Sequence, residues 1–382
     1  MKAPAHCLPV ALFLLLALVP CAPATSSARA AADDEEIDLF DWELRLMFWG
    51  VSAGRESVAG QEERIEDFFT RRARIVLKAR PADDLSLRFQ FGHDNAGSKI
   101  SEEDNGLRIK DAFLNYRVNN GFQILAGQFK IPFLRHNLES GFKQLLVDRA
   151  KLPALRPAKE GARDIGGMAW GNRGGFQYRT AVFDGSDQEQ KNDRSSLRGT
   201  LRVSYNWFTH EHGLDYTATS VGRRRILQLG AQVDAQNDRL DPKDDAGFDT
   251  LPRDYRAWAA EVFYDEPFGG GWALTFEGAW LDRRDDYADP ALDERRIEGF
   301  YAQAGALLPG KVGPGRLQIV ARYEDFDTER GAALSKRTNR SAGITYFGRD
   351  HKFKIQLEYT DRREEPDEID NDQVRLSVSA IL

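Results

Sequence analysis

From residue 38 onward the chain consists of segments about ten residues long in which apolar and polar positions alternate. That is the period of a β-strand with two unlike faces. In 84–93, Leu85, Leu87, Phe89 and Phe91 point one way, and Ser86, Arg88, Gln90 and Gly92 the other. In 272–281, Trp272, Leu274, Phe276, Gly278 and Trp280 oppose Ala273, Thr275, Glu277 and Ala279. Sixteen such segments can be counted: 38–49, 69–80, 84–94, 107–118, 122–131, 163–171, 174–184, 197–208, 226–235, 254–264, 272–282, 299–308, 315–325, 339–347, 352–361 and 373–382. The connections alternate in length. Short ones fall at 81–83, 119–121, near Gly171, and at 266–271 and 348–351. Long ones fall at 50–68, 95–106, 132–162, 185–196, 236–253, 283–298, 326–338 and 362–372. One connection, 209–225, lies on the short side and is too long; a seventeenth strand around Leu214 to Ser220, or a shifted boundary, is expected there.

An even number of such strands, with short turns at one end and long loops at the other, predicts an all-β transmembrane antiparallel barrel. The apolar face meets lipid, the polar face lines the lumen, and closure leaves no strand edge in hydrocarbon. A soluble sandwich or β-helix explains the alternation, but neither the loop lengths nor a polar face on every strand.

The first thirty residues read differently. Lys2, the apolar run Leu8 to Val19 and Ala28-Arg29-Ala30 form the three parts of a secretory signal, so 1–30 is expected to be removed and 31–382 to be the barrel domain. Both cysteines, Cys7 and Cys21, lie inside that signal. The remaining chain therefore has no disulfide, no thiolate metal site and no covalent haem attachment, and no cofactor is expected. Formal net charge is −7, so nucleic acid is not an expected partner.

Positive charge is placed selectively. In 69–80, alternation sends Phe69, Ala73, Ile75, Leu77 and Ala79 to lipid, and Arg72, Arg74, Lys78 and Arg80 to the lumen. Arg88 extends this wall; Arg198 and Arg202, and Arg316 and Arg322, repeat it elsewhere. Such charges at mid-membrane on the lipid face would cost about 2–4 kcal/mol each. Glu277, Glu324 and Glu358 are candidates to pair off part of the ladder. The third long loop, 132–162, carries six basic residues (Arg135, Lys143, Arg149, Lys151, Arg156, Lys159) against three acids, a local +3. Loops 50–68, 236–253 and 362–372 are acidic, at −3, −2 and −4. A loop folded into the lumen to attract anions explains the inversion. Lesser signals are discounted: His210-Glu211-His212 lacks a third metal ligand, His136 reads as a polar filler, and Glu364-Glu365-Pro366-Asp367-Glu368 as a solvated loop. No catalytic set is apparent.

Several strings occur in order: Arg71-Arg72-Ala73-Arg74, Asp111-Ala112-Phe113-Leu114-Asn115-Tyr116, and Gly127-Gln128-Phe129-Lys130-Ile131-Pro132-Phe133. Glu139-Ser140, Asp148-Arg149, Arg163 with Gly166, and Ala181-Val182-Phe183-Asp184-Gly185 follow. In these the chain resembles the phosphate-selective porin family, the porin O and P group. The resemblance implies a sixteen-stranded homotrimeric channel in the outer membrane of a Gram-negative cell, in contact with its lipid and lipopolysaccharide. It also implies a third loop narrowing the pore, and matches Arg72, Arg74, Lys130 and Arg149 to basic family positions. The expected anion path comprises Arg72, Arg74, Lys78, Arg80, Arg88, Lys130, Lys143, Arg149, Lys151, Arg198 and Arg202. Phosphate-like oxyanions are the leading solute; a general or differently selective porin, or a sheath around a periplasmic cytochrome, are the alternatives.

Overall fold

A computed structural model describes residues 40–56, 62–101, 106–152, 162–185, 196–237, 254–287, 294–330, 333–366 and 371–382. The strands are β1 (Phe40–Glu56), β2 (Glu62–Ala82), β3 (Leu85–Ala96), β4 (Arg108–Asn119), β5 (Phe122–Lys130), β6 (Arg163–Arg173), β7 (Phe176–Phe183) and β8 (Arg198–Phe208). They continue with β9 (Ile226–Gln236), β10 (Asp254–Pro267), β11 (Ala273–Asp286), β12 (Arg295–Leu307), β13 (Arg316–Arg330), β14 (Ala333–Phe347), β15 (Phe353–Glu365) and β16 (Gln373–Ile381). Each pairs antiparallel with its sequence neighbour, and β1 pairs with β16 from Arg45 opposite Ile381 to Ala53 opposite Gln373. The result is the closed sixteen-stranded barrel that the alternation predicts.

The faces are inverted relative to a water-soluble protein. On β11, Leu274 and Phe276 are 46% and 38% exposed, whereas Thr275 and Glu277 are 1% exposed. Outward aromatics gather near the short turns, among them Phe122, Phe176, Trp207, Phe268, Trp272 and Phe353. Such a girdle suits the interfacial zone, where amphipathic rings are favoured.

Three expectations need correction. First, several strands outrun the predicted segments at the long-loop end. The 326–338 loop is strand on both sides of 331–332, and Glu364 and Glu365 belong to β15. Alternation ends where lipid ends, but the ladder continues into water, where both faces are polar. Asp367 and Glu368 lie outside the described residues, as do Arg156 and Lys159 of the third loop. Second, Arg72 stands opposite Met47 and Thr70 opposite Phe48, so Arg71 is the extra residue of a β-bulge. A bulge shifts parity by one. Phe69 is therefore buried in the interior, and Phe68 takes the outward place. Third, 209–225 contains no seventeenth strand. It runs inward, and Tyr216 forms one isolated bridge with Glu139.

Two segments thus pack against the inner wall, chiefly from β6 to β15, with Phe142 and Val147 also seated on Met47, Trp49 and Phe69 of β1 and β2. Residues 131–152 include a single helical turn, α1 (Arg135–Leu138). Their irregular backbone must find partners once buried. Glu261 on β10 accepts the Arg135 N–H at 2.5 Å. Glu358 on β15 accepts Val147 and Asp148 at 2.8 and 3.2 Å. Glu324 on β13 accepts Lys151 and Leu152 at 2.5 and 3.4 Å. Apolar anchors accompany these bonds: Ile131, Phe133, Leu134 and Leu152 join Phe129, Met168, Trp170 and Phe183 from the wall in one buried cluster. Each such side chain contributes roughly 1.5–3 kcal/mol on full burial. The 209–225 segment is held by Asn172 on β6, Gln177 and Arg179 on β7, Asp265 on β10 and Thr275 on β11.

Candidate permeation site

With β6 to β15 covered, the open space lies against the remaining wall. A cavity of about 320 Å³ is bounded by Arg45 on β1, Arg71, Arg72 and Arg74 on β2, and Arg88, Gln90, Asp94 and Asn95 on β3. Lys130 closes β5 and Arg163 opens β6; Asn137, Ser140 to Phe142, Asp148 to Lys151 and Asp215 face them from the inserted segments. Nine lining side chains are basic and three, Asp94, Asp148 and Asp215, are acidic, a formal charge of +6.

Several of these cations are positioned by backbone carbonyls. The Lys130 ammonium donates to the carbonyls of Leu138 and Glu139 at 2.8 and 3.0 Å. Arg149 donates to the carbonyls of Glu139 and His136 at 2.6 and 3.2 Å. Arg72 reaches the Gly141 carbonyl at 3.5 Å. Cations from β2, β5 and the inserted segment thus converge on one short run of backbone carbonyls. A carbonyl fixes a donor but cancels no charge. Arg74 does have an acid, Asp94 at 2.5 Å, yet its Nη1 is buried with no hydrogen-bond partner, as is Nε of Arg88. Unsatisfied buried donors are costly, and both belong to side chains that line the cavity.

Asp215 is the main counter-charge. It pairs closely with Arg88 and lies 3.3 Å from Lys130. Burial opposes its ionisation, but Arg88 and Lys130 outweigh that and hold the carboxyl well below its usual range. Burial, with Arg45 nearby, pushes the Lys143 ammonium down.

The expected path residues divide accordingly. Arg72, Arg74, Arg88, Lys130, Arg149 and Lys151 are brought together at the cavity. Lys78 shares their wall but is tied to Glu43 at 2.6 Å and Asp41 at 3.5 Å. Arg80 lies in a separate recess toward the short turns, beside Asp83 and Asp84. Lys143 is half-buried on the inserted segment and does not line the cavity. Arg198 and Arg202 face inward as expected, but each is fully buried against a carboxylate, Asp234 and Glu261 respectively. They brace the packed side of the wall. Arg135 is likewise spent within the third loop, bound to Glu211 at 2.5 and 3.1 Å and stacked 3.6 Å from the Phe263 ring. Of the candidates to neutralise the ladder, Glu324 and Glu358 do pair with Arg322, at 3.2 and 3.5 Å, and with Glu277 they also hold the inserted segment.

Sequence reasoning missed Arg45, Arg71 and Asp215. Arg71 owes its place to the bulge and Asp215 to the inward turn, and simple alternation sees neither; Arg45 was within its reach. His136, Glu139 and Glu277 bring ligand atoms within 4.8 Å of one another. The Ala150 N–H donates to His136 Nε2 at 3.0 Å, which leaves Nδ1–H to face Glu277 at 3.2 Å. Both ring nitrogens are thereby engaged, so the trio is a hydrogen-bonded anchor. Burial and the neighbouring Glu277 push the Glu139 carboxyl well up.

A closed sixteen-stranded barrel with an apolar belt and a charged inner cavity is the architecture of an outer-membrane porin. The chain belongs to the phosphate-selective porin O and P family, whose model matches residues 43–381. A curated protein of Aquifex aeolicus, described as uncharacterized, is 23% identical over 320 residues, 75% of this chain and 74% of that one. Among solved structures, the trimer form of OmpT from Vibrio cholerae aligns with TM-score 0.60 at 10% identity, covering 90% of this chain and 99% of that one. An anion-selective porin from Comamonas acidovorans aligns with TM-score 0.54 at 12% identity, covering 90% and 98%. These structural likenesses are likenesses of fold.

Proposed function

We propose that this porin passes small anions by diffusion, with phosphate-like oxyanions the leading solute class. The observation that carries the reading is the convergence of Arg72, Lys130 and Arg149 on backbone carbonyls at a cavity of formal charge +6. An entering anion exchanges part of its hydration for charge-assisted contacts, several weak ones in series, so that it both enters and leaves. The inserted segment 131–152 narrows the passage and supplies part of its charge. A cavity of about 320 Å³ speaks against the sheath reading, since a folded cytochrome is far larger. We further propose that residues 1–30 direct export and are removed, that the chain assembles as a homotrimer, and that its outward face meets lipid and lipopolysaccharide.

The test is the reversal potential of the full-length protein in planar bilayers across a KCl gradient. Anion preference is expected. Replacing Arg72, Arg74 and Lys130 together by Gln takes the lining from +6 to +3. Charges a few ångströms from the ion act with about 1 kcal/mol each even in water, so the anion-to-cation permeability ratio should fall at least about ten-fold. Neutralising Glu364, Glu365, Asp367 and Glu368 should change little at 1 M salt, where screening acts over about 3 Å. A channel that prefers cations unmodified would overturn the proposal.

A further inference from the structure

The 209–225 connection enters from the short-turn end, where every other connection is brief. The residues flanking Asp215 are fixed independently of its carboxylate. Arg179 donates to the Leu214 and Gly213 carbonyls at 2.9 and 2.8 Å. On the other side, the Tyr216 carbonyl accepts the Ser140 N–H at 3.2 Å, and its hydroxyl is held by Arg202 at 3.0 Å and by Gln177. The tether is therefore rigid, and the Asp215 side chain is the part that projects from it into the cavity.

Its carboxylate oxygens are divided between two strands of the open wall. Oδ2 meets Arg88 on β3, and Oδ1 meets Lys130 on β5 at 3.3 Å. This is the geometry an oxyanion would adopt there: two oxygens, one on a guanidinium and one on an ammonium. Neither cation depends on Asp215 for its place. Arg88 keeps Asp111 at 3.6 Å, and Lys130 keeps the Leu138 and Glu139 carbonyls. The contact also links the 209–225 segment to β3 and β5.

We infer that Asp215 is a tethered competitor for the permeant anion: its carboxylate occupies the Arg88–Lys130 site, and a solute oxyanion passes by exchanging with it. The inference rests on the anion reading above and adds the residue that sets how tightly an anion is held. With the carboxylate in place, a solute is bound only as strongly as it out-competes an attached acid, which keeps occupancy brief. A cation gains nothing from the exchange, because displacing Asp215 exposes positive charge. The site takes a two-oxygen anion, either a carboxylate or a phosphate.

The experiment measures block of chloride current in planar bilayers by inorganic phosphate and by acetate, using the full-length protein. In Asp215→Asn, the half-blocking concentration of both should fall about ten-fold or more, because a like charge a few ångströms from the site is removed. Asp215→Glu should stay near the unmodified channel. Should the Asn variant assemble poorly, Asp215→Ala is read in the same way. A fall for phosphate alone would assign the site to phosphate; a fall for acetate alone would assign it to carboxylates. Unchanged or weakened block by both solutes in the variants overturns the inference. Cation preference in the unmodified channel instead overturns the anion reading, so the two failures are distinguishable.

Discussion

Glu358→Ala should loosen the inserted segment without opening the barrel. Glu358 accepts the Val147 and Asp148 amides at 2.8 and 3.2 Å, and its other oxygen faces Arg322 and Arg375 at 3.5 and 3.7 Å. Buried bonds to a charged group contribute about 1.5–3 kcal/mol each, so losing two costs the closed segment about 3–6 kcal/mol. What remains nearby is considerable. Lys354 still donates to the Gln144 carbonyl at 2.9 Å, Thr345 and Gln356 still donate to the Leu145 carbonyl at 3.0 and 2.9 Å, and Leu145 and Leu146 stay packed with Ala218 and Val320. Arg322 retains Glu324 at 3.2 Å and the Asp148 carbonyl at 2.8 Å. The segment should therefore stay docked on average but open more often. Amide hydrogen exchange reads this directly: protection at 145–152 should fall about 10²- to 10⁴-fold, since each 1.36 kcal/mol is a factor of ten. The β14–β15 ladder should keep its protection, and single-channel current should become noisier. Glu358→Gln, which keeps an acceptor but loses the charge, should show roughly a ten-fold effect. If protection at 145–152 is unchanged while the strands lose theirs, the glutamate serves the wall and the reasoning fails.

A reactive Cys at Asn192 or Ala246, on the long-loop side, should label from outside intact cells, and one at Asn120, in a short turn, should not; equal labelling of all three would contradict the strand order. In outer-membrane extracts the protein should migrate as an SDS-resistant trimer that dissociates on heating, and a monomer band before heating would remove the trimer.

The wall was legible in the sequence because lipid imposes a strict period of two wherever it touches the chain. Trp272, Leu274, Phe276 and Trp280 show this, all facing out. Where lipid stops, the signal stops, which is why β13 and β14 run on through polar residues to Arg330 and from Ala333. The site was only half legible. Arg72, Arg74 and Arg88 follow from alternation, and Lys130 and Arg149 from the family strings. Arg71 does not, because one inserted residue in β2 is invisible to a periodicity that resumes on both sides of it. Asp215 does not, because a segment with mixed polarity carries no mark of the direction in which it folds. Family strings also contain backbone constraints: Gly127 has φ +129°, and a Cβ there would lie 2.2 Å from the Ala112 carbonyl oxygen. The fate of Arg198 and Arg202 was equally hidden, since inward orientation alone does not distinguish a cation facing water from one sealed against Asp234 or Glu261.

The two inserted segments divide this barrel into unlike halves around its circumference. From β6 to β15 the inner surface is the interior of a globular protein, where exchanging one side chain is felt as a cavity, a clash or an orphaned charge. Along β1 to β5 it is a wetted shore around the cavity, where the same exchange alters the field an ion feels, except where Met47, Trp49, Phe69 and Phe129 are sealed under the inserted segment. Variation should therefore sort by azimuth. Changes on one arc would register in how well the barrel survives heat, and changes on the other in what crosses it.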